Sequence, residues 1–201
     1  MKNNPELKVD VHKPEVMVEI DIREDKNVYI CTSRIPCLGG MPVGSAGEGL
    51  LLLSGGIDSP VAGFQMNKRG MHNTYIHYYS YPYTSQLAKD KVVDLAKTLK
   101  PYNGVSKILF VPFTKVQEEI HKHCDGDYMI TLMRRIMMRI ARAVCLKNGY
   151  QAILTGECLG QVASQTIESM TSTNLCAGEI PVLRPLISFD KEDTVAIAKK
   201  I

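Results

Sequence analysis

Leu50-Leu51-Leu52-Leu53-Ser54-Gly55-Gly56-Ile57-Asp58-Ser59-Pro60 is the stretch of sequence that decides the fold of this chain. Its four leucines form a short apolar run, which predicts a buried strand. The apolar spacing after Pro60 predicts a helix, and proline fits the first turn of a helix because its missing N–H would have no partner there. A strand, a glycine loop and a helix in this order gather backbone N–H groups around one point. That arrangement suits an anion of the size of a phosphate.

The loop residues have roles that follow from their chemistry. Gly55 and Gly56 let the backbone approach an anion without a Cβ in the way. Ser54 and Ser59 add hydroxyl donors, and Asp58 offers a carboxylate to a magnesium ion or to a reacting group. The loop differs from that of the P-loop NTPases, because no Gly-Lys-Ser/Thr follows the glycines and the spacer is too short. The alternative to a phosphate-binding loop is a tight turn followed by a Ser/Asp helix cap. The strand directly before the loop and the helix directly after it disfavour this alternative.

Composition limits the classes of protein to consider. The 201 residues can hold one sizeable core and an appendage. The net charge of +3 is too small to argue for a nucleic-acid partner and does not exclude one. The longest apolar run is too short for a bilayer and we find no secretory signal, so we expect a cytoplasmic protein without a membrane segment. Six cysteines without a C-x-x-C pair predict reduced thiols rather than a zinc site.

The chain is expected to divide into a short β segment and an α/β domain. Apolar alternation over residues 16–22 and a second run over 28–32 predict a hairpin of half-buried strands within the segment 1–38. The glycine-rich residues 39–48 predict a linker. Strands then alternate with helices over residues 49–201. This alternation predicts a doubly wound, mostly parallel sheet with helices on both faces.

The elements after the loop helix place polar residues at one edge of this sheet. The predicted strands are 73–79, 107–113, 151–155 and 181–187, and the predicted helices are 86–99, 114–123, 127–148 and 159–170, with Asp190 as the cap of a last one. Ser54, His77-Tyr78 and Thr155-Gly156-Glu157 follow three strands, where such sheets bind ligands. The chain ends soon after the last cap, so we expect it to be a fragment.

The long helix carries arginines on two flanks. One apolar stripe is predicted, formed by Met133, Met137, Ile140 and Val144. The opposite flank carries Arg135, Arg139 and Arg142. We predict that this flank faces solvent, and contact with RNA is the less favoured interpretation. Arg134 lies instead beside Met138, so it needs an anionic partner or a route to water. Two explanations stay open, a snorkelling side chain and a guanidinium aimed at phosphate or ribose.

Taken together, the motifs resemble the tRNA 4-thiouridine synthetase family, or tRNA sulfurtransferases, which are also linked to thiamine biosynthesis. The loop itself is similar to the SGGxDS pyrophosphate loop (PP-loop) of ATP pyrophosphatases. The stretches that carry the family resemblance cover essentially the whole chain and are residues 39–44, 52–63, 68–70, 81–84, 134–139, 155–166 and 183–187.

The resemblance implies a domain organisation and a nucleotide site. Residues 49–201 would be a C-terminally truncated PP-loop domain of the adenine nucleotide alpha hydrolase type, and 1–38 the end of a truncated THUMP domain, which helps to hold tRNA. ATP phosphates would lie over residues 54–59, with Asp58 positioning Mg²⁺ and the pyrophosphate. The nucleotide contacts carried over by position are Leu52, Leu53, His77, Tyr78, Arg134, Gly156 and Gln165.

The resemblance also implies a reaction. The 4-oxygen of a tRNA uridine attacks the α-phosphate of ATP, and a persulfide sulfur then displaces AMP to leave 4-thiouridine. The partners implied are tRNA and a cysteine desulfurase or other persulfide donor, while a homodimer stays open. The family cysteine lies downstream of this stretch, and we interpret Cys158 as a packing residue. The alternatives are another ATP pyrophosphatase that adenylates a small molecule, and a non-catalytic fragment that binds ATP or RNA.

Overall fold

The computed structural model describes residue 6 and residues 8–201, in two units, Met1–Gly39 and Gly40–Ile201. The rest of the predicted N-terminal segment, residues 1–5 and 7, lies outside the described residues. The first unit contains an antiparallel hairpin of strands β1 (Glu19–Ile22) and β2 (Val28–Cys31). Its burial differs from the prediction of half-buried strands, because Ile20 is 61% exposed. No other helix or strand is present in the described part of this unit to cover the hairpin.

The second unit is built on a five-stranded parallel sheet. Its strands are β3 (Glu48–Leu52), β4 (His72–Tyr79), β5 (Ile108–Pro112), β6 (Ala152–Leu154) and β7 (Val182–Leu183), in the spatial order β5-β4-β3-β6-β7. Its helices are α1 (Asp58–Lys68), α2 (Gln86–Asn103), α3 (Thr114–His123), α4 (Met129–Asn148), α5 (Ile167–Ala177) and α6 (Lys191–Ala198). The doubly wound α/β fold is therefore confirmed.

Helices cover both faces of this sheet because successive strand residues point to opposite sides. On one face, helices α1, α2 and α6 pack against a cluster that includes the strand residues Leu51, Tyr75, Ala152 and Leu154 and, directly after β3, Leu53. On the other, helices α4 and α5 pack against Leu50, Ile76 and Ile153. The leucine run is thus buried from both sides, as its unbroken apolar character predicted.

The strand order creates a switch point between β3 and β6. The chain runs from β3 outward to β5 and then returns to place β6 on the other side of β3. Leu51 pairs with Leu154, so the two strands end side by side. In open α/β sheets a crevice for ligands opens beyond the carboxyl ends of the strands at such a point. Ser54 lies two residues after the end of β3, and Thr155 directly follows β6.

Helix α4 is rotated relative to the predicted stripe. Its buried residues are Met138, Ala141 and Cys145, while the four residues predicted to face the core are only half-buried. Ala141 and Cys145 belong to the same buried cluster as Leu50 and Ile153 of the sheet.

The predicted solvated arginine flank is also partly wrong, because one of its members contacts α5 and another contacts Glu179, two residues beyond the end of that helix. Arg135 donates to the carbonyl and hydroxyl oxygens of Ser172 at 2.9 and 2.8 Å, and Arg142 pairs with Glu179 at 2.7 Å.

The predicted helix at 159–170 is the largest error in element placement. Helix α5 begins at Ile167, and the residues before it form turns in which the Gly160 N–H donates to the Gln165 carbonyl at 2.8 Å. Thr166 accepts from the Ser169 N–H at 3.2 Å and caps α5.

Strand β7 is also shorter than predicted. The two helix boundaries that were predicted from capping residues are confirmed. Asp190 and Asp193 form a capping box at the start of α6, and Gly149 ends α4 at φ +75°.

Helices in the described residues are all too short or too polar to cross a membrane.

Candidate functional site

The loop after β3 is held together by its two serines. The Ser54 N–H donates to Ser59 Oγ at 2.9 Å, and the two hydroxyl oxygens lie 3.1 Å apart. The Gly56 N–H donates to Ser54 Oγ at 3.4 Å. These bonds join the start of the loop to the first turn of α1, so the serines shape the loop besides offering hydroxyl groups to a ligand.

Backbone donors of the loop point to an anion. Helix α1 begins at Asp58 without a side-chain cap. The N–H groups of Gly55, Ile57 and Asp58 have no hydrogen-bond acceptor among the described residues. Uncapped N–H groups at a helix N-terminus carry partial positive charge and are satisfied by water or by an anion. The loop therefore has the free donors that a phosphate group requires.

Gly156 brings the end of β6 against this loop. A Cβ at this position would lie 2.6 Å from the Ser59 nitrogen and 2.7 Å from the Asp58 carbonyl carbon. Both are backbone atoms, which cannot rotate away as a flexible side chain can. Only glycine therefore allows the strand end to approach the start of α1 this closely.

Replacing this glycine should disturb both the fold and the site. We expect Gly156→Ala to lower the free energy of unfolding by about 1–3 kcal/mol, because the added methyl must displace backbone. We also expect weaker nucleotide binding, because the displaced backbone carries the loop donors. Urea unfolding and ATP titration measure the two effects. Gly126→Ala is the matched control, since its Cβ would meet open space. Equal behaviour of the two variants would contradict the prediction.

A cavity of about 360 Å³ opens at the switch point between β3 and β6. It brings together seven residues that the sequence predicted, namely Leu52, Ser54, Asp58, Ser59, Arg134, Gly156 and Gln165. It also includes five that were not assigned to a ligand, namely Met137, Met138, Thr155, Glu157 and Thr173. The buried Oε1 of Gln165 has no hydrogen-bond partner among the described residues. An unpaired buried polar atom costs free energy, so it suits a polar ligand in this cavity.

The remaining predicted residues lie elsewhere around the loop. Gly55, His77 and Tyr78 line a second cavity of about 530 Å³. Leu53 is buried in the core, and its carbonyl accepts from His77 Nδ1 at 2.8 Å. The Tyr78 hydroxyl donates to the Met137 carbonyl at 2.6 Å. Since Met137 lines the first cavity, Tyr78 lies between the two.

Arg134 has an anionic partner inside the protein. Its Nη2 pairs with Glu157 Oε1, and its Nη1 donates to the Ser164 carbonyl at 2.6 Å. Arg184 binds the other carboxylate oxygen of Glu157 at 2.7 Å, and the Thr155 hydroxyl also donates to it at 3.0 Å. The Arg134 side chain is only 21% exposed and lines the first cavity, so it does not snorkel to open solvent.

These buried charges leave the site positive. Two guanidinium groups share one carboxylate, and an arginine stays protonated in proteins. Burial lowers the pKa of Arg134, and the neighbouring charge of Arg184 lowers it further. Both effects mean that a second negative charge near Arg134 would be stabilising. The cavity therefore offers a preformed cation to an anionic ligand.

Lys191 is a site residue that the sequence analysis did not identify. As the first residue of α6 it reaches back over the loop, and its Nζ lies 2.6 Å from Asp58 Oδ1. The Asp190–Asp193 capping box fixes where this helix begins and hence where Lys191 lies. The two paired residues are 133 positions apart. The lysine brings a further positive charge to the loop.

Cys158 lies behind the loop and is fully buried. Burial, followed by the negative charge of Asp58, raises the pKa of its thiol. A raised pKa disfavours the thiolate, which is the reactive form. The structure thus agrees with the interpretation of Cys158 as a packing residue.

The oxygen donors of the loop fit a magnesium ion. They are the Asp58 carboxylate and the hydroxyls of Ser54 and Ser59, and the described residues contain no cluster of three or more His, Cys, Asp or Glu that would form an all-protein metal cage. Magnesium at nucleotide sites is held by one or two carboxylates together with substrate phosphates. A single carboxylate beside a phosphate loop is consistent with that arrangement.

The doubly wound sheet and the glycine loop at its switch point define an α/β protein of the PP-loop class. The family model described as “Thiamine biosynthesis protein (ThiI)” matches residues 44–201. The chain belongs to this family, as the resemblance of its motifs predicted.

Two curated relatives and one solved structure agree with this assignment. A “Probable tRNA sulfurtransferase” of Moorella thermoacetica is 48% identical over 194 residues, which is 96% of this chain and 49% of that protein. A protein of the same description from Brevibacillus brevis is 50% identical over 197 residues, 98% of this chain and 49% of that protein. The structure described as “Crystal structure of a 4-thiouridine synthetase - RNA complex with bound ATP” matches with a TM-score of 0.86 and 42% identity, over 99% of this chain and 52% of that one. The chain thus spans about half the length of these proteins.

Proposed function

We propose that this chain is the ATP-using part of a tRNA sulfurtransferase, and that it adenylates the 4-oxygen of a tRNA uridine. The observation that carries the proposal is the uncapped loop at the switch point, with free N–H groups beside Arg134 and Lys191. The descriptions of its relatives as tRNA sulfurtransferases, and of its structural neighbour as an RNA complex with bound ATP, support it.

Different residues of the site bind different parts of ATP. The phosphates lie over residues 54–59, where the loop N–H groups donate to their oxygens. The nucleoside part occupies the first cavity, beside Leu52, Gly156 and the unpaired Gln165 oxygen. Arg134, held by Glu157, points its guanidinium at phosphate or ribose. His77 and Tyr78 border the same nucleotide from the end of β4.

The chemistry is a displacement at the α-phosphate. The uridine 4-oxygen forms a bond to this phosphorus, the bond to the β-phosphate bridging oxygen breaks, and pyrophosphate leaves. Negative charge grows on the leaving phosphate oxygens, where the loop N–H groups and the cations of Lys191 and Arg134 stabilise it. Mg²⁺ bound through Asp58 would neutralise further charge on the phosphates. The terminal sulfur of a persulfide then forms a bond to the activated carbon, and AMP departs. A second thiol of the donor attacks the carrier sulfur, so that the persulfide S–S bond breaks, a disulfide forms on the donor and 4-thiouridine is released.

The sulfur comes from a persulfide donor, such as a cysteine desulfurase acting with the protein. The buried thiol nearest the loop, Cys158, is unsuited to this step because its raised pKa disfavours the thiolate. This chain therefore activates the uridine by adenylation, and the donor supplies the sulfur. Both steps belong to tRNA modification in the cytoplasm.

The experiment that tests this proposal is pyrophosphate release from ATP and magnesium, with and without tRNA that lacks 4-thiouridine. Release that requires both tRNA and Asp58, with Asp58→Ala as the control, supports uridine activation. Release that does not require tRNA would instead indicate a small-molecule acceptor. ATP binding without any release would contradict the proposal and favour a non-catalytic protein.

A further inference from the structure

The second cavity lies beside the loop at the carboxyl end of β4. It has a volume of about 530 Å³ and lies between Gly55, the end of β4 and the first turns of α2. Only three of its lining residues, Gly55, His77 and Tyr78, were predicted to contact ATP. The others include Tyr79, Tyr81, Gln86, Lys89 and Lys91. The proposed function leaves these five without a role.

The loop forms a wall between the two cavities. Ser54, Asp58 and Ser59 line the first cavity, whereas Gly55 lines the second. A Cβ on Gly55 would lie 3.9 Å from Lys91 Cδ, so the lysine stem runs along the outer side of the loop. A phosphate held by the loop N–H groups therefore borders both cavities. An acceptor in the second cavity could reach the phosphorus without displacing the nucleoside from the first.

Transfer at phosphorus needs such a second approach. The attacking and leaving oxygens lie roughly in line in the transition state, so the acceptor cannot share the position of the pyrophosphate. With the nucleoside in the first cavity and the phosphates on the loop, the acceptor requires a separate opening beside the α-phosphate. The second cavity provides that opening.

The lining of the second cavity has the chemistry of an RNA-binding surface. Its charged residues are lysines, and none of the residues that line it within the described chain is acidic. Lys89 Nζ lies 4.8 Å from the centre of the Tyr79 ring, and Tyr81 is 68% exposed. Unstacked nucleotides bind proteins by stacking on aromatic rings, with lysines at the backbone phosphates. The Gln86 amide nitrogen donates to Asp90 at 3.0 Å, and its oxygen adds an acceptor that can pair with a base edge.

We propose that the second cavity binds an unstacked nucleotide of the RNA substrate, the one that carries the acceptor oxygen. Its base lies against Tyr81, and its backbone phosphate lies near Lys91. The inference rests on the proposed function, since it assigns the place of the acceptor in that reaction. It gives the chain two adjacent subsites, one for the nucleotide that is cleaved and one for the nucleotide that is modified.

The test compares paired variants of the full-length protein. Tyr81→Ala is matched by Tyr83→Ala, because both residues are 68% exposed and the Tyr83 hydroxyl instead donates to Glu118 at 3.2 Å. Lys91→Ala is matched by Lys97→Ala, which alters a lysine of the same helix that pairs with Asp94. The KM for tRNA is measured from pyrophosphate release, and the Kd for ATP from titration without RNA. Urea unfolding checks that each variant is folded.

We expect Tyr81→Ala to raise the KM for tRNA roughly 5- to 100-fold, the loss of one stacked base. Lys91→Ala should raise it by a smaller factor and reduce its dependence on salt. Neither should change the Kd for ATP, and both controls should resemble the unsubstituted protein. An unchanged KM in both test variants, or a weaker ATP affinity without RNA, overturns the inference alone. Absence of tRNA-dependent release from the unsubstituted protein overturns the proposed function, and the inference with it.

Discussion

Asp58→Ala removes pyrophosphate release, with an expected fall in turnover of at least about 10²- to 10³-fold. Asp58 is the carboxylate of the loop, and its side chain is 30% exposed beside the opening of the first cavity. Among the described residues that line the first cavity, the other carboxylate is that of Glu157, and it is already paired with Arg134 and Arg184. The loss should therefore appear in kcat, because the charge on the phosphates changes most in the transition state. Initial rates at saturating ATP and magnesium measure it.

Two further variants separate the possible reasons for such a loss. Asp58→Asn keeps the size of the side chain but removes its charge, so we expect it to be nearly as inactive. Asp94→Ala removes an exposed carboxylate that also pairs with a lysine, and it should leave turnover unchanged. An Asp58→Ala protein with the turnover of the unsubstituted chain would show that the role assigned to Asp58 is wrong.

The local features of the site were predictable because they depend on neighbouring residues. The buried strand, the glycine loop and the start of α1 lie within residues 48–60, and the apolar run and proline determine them together. The caps at Asp190 and Gly149 follow from the same short-range rules. The error before α5 has the opposite origin. Residues 159–166 are apolar enough for a helix, yet Gly160 adopts φ +72° and the segment turns instead.

The partners of the charged residues were not predictable from one sequence. The sequence left open whether Arg134 reaches water or has an anionic partner, and only the position of Glu157 in the fold answers this. Nothing in the sequence around Glu157 indicated that it binds two arginines. Lys191 meets Asp58 across 133 positions, through a fold that brings α6 over the loop. A helix pattern shows which flank a residue occupies, but the pairing depends on how the elements pack. The prediction that the hairpin strands are half-buried was wrong for the same reason. Alternating apolar residues show that a strand has an apolar face, but they do not show whether another element covers that face.

Glu157→Ala is expected to lower the free energy of unfolding by about 3–5 kcal/mol, the cost of leaving buried charges without their partner. The Glu157 side chain is 11% exposed and binds Arg134 and Arg184, whose side chains are 21% and 9% exposed. Both cations lose their anion at once, and neither reaches bulk water freely. Glu179→Ala is the matched control, because it breaks another Glu–Arg pair whose carboxylate is exposed, and it should have little effect. Urea unfolding of the two variants gives the comparison.

The same substitution also tests how the site is held. Glu157 accepts from the Thr155 hydroxyl at 3.0 Å, so it links the end of β6 to the arginine in the cavity. Without it, Arg134 keeps its charge and loses its fixed direction, and we expect ATP affinity to fall even where the protein remains folded. Glu157→Gln retains the shape and one accepting oxygen but loses the charge and the second acceptor, so its stability should be intermediate. Equal unfolding free energies for Glu157→Ala and Glu179→Ala would contradict a structural role for this carboxylate. A stable Glu157→Ala protein with normal ATP affinity would also remove the reason for placing Arg134 at the nucleotide.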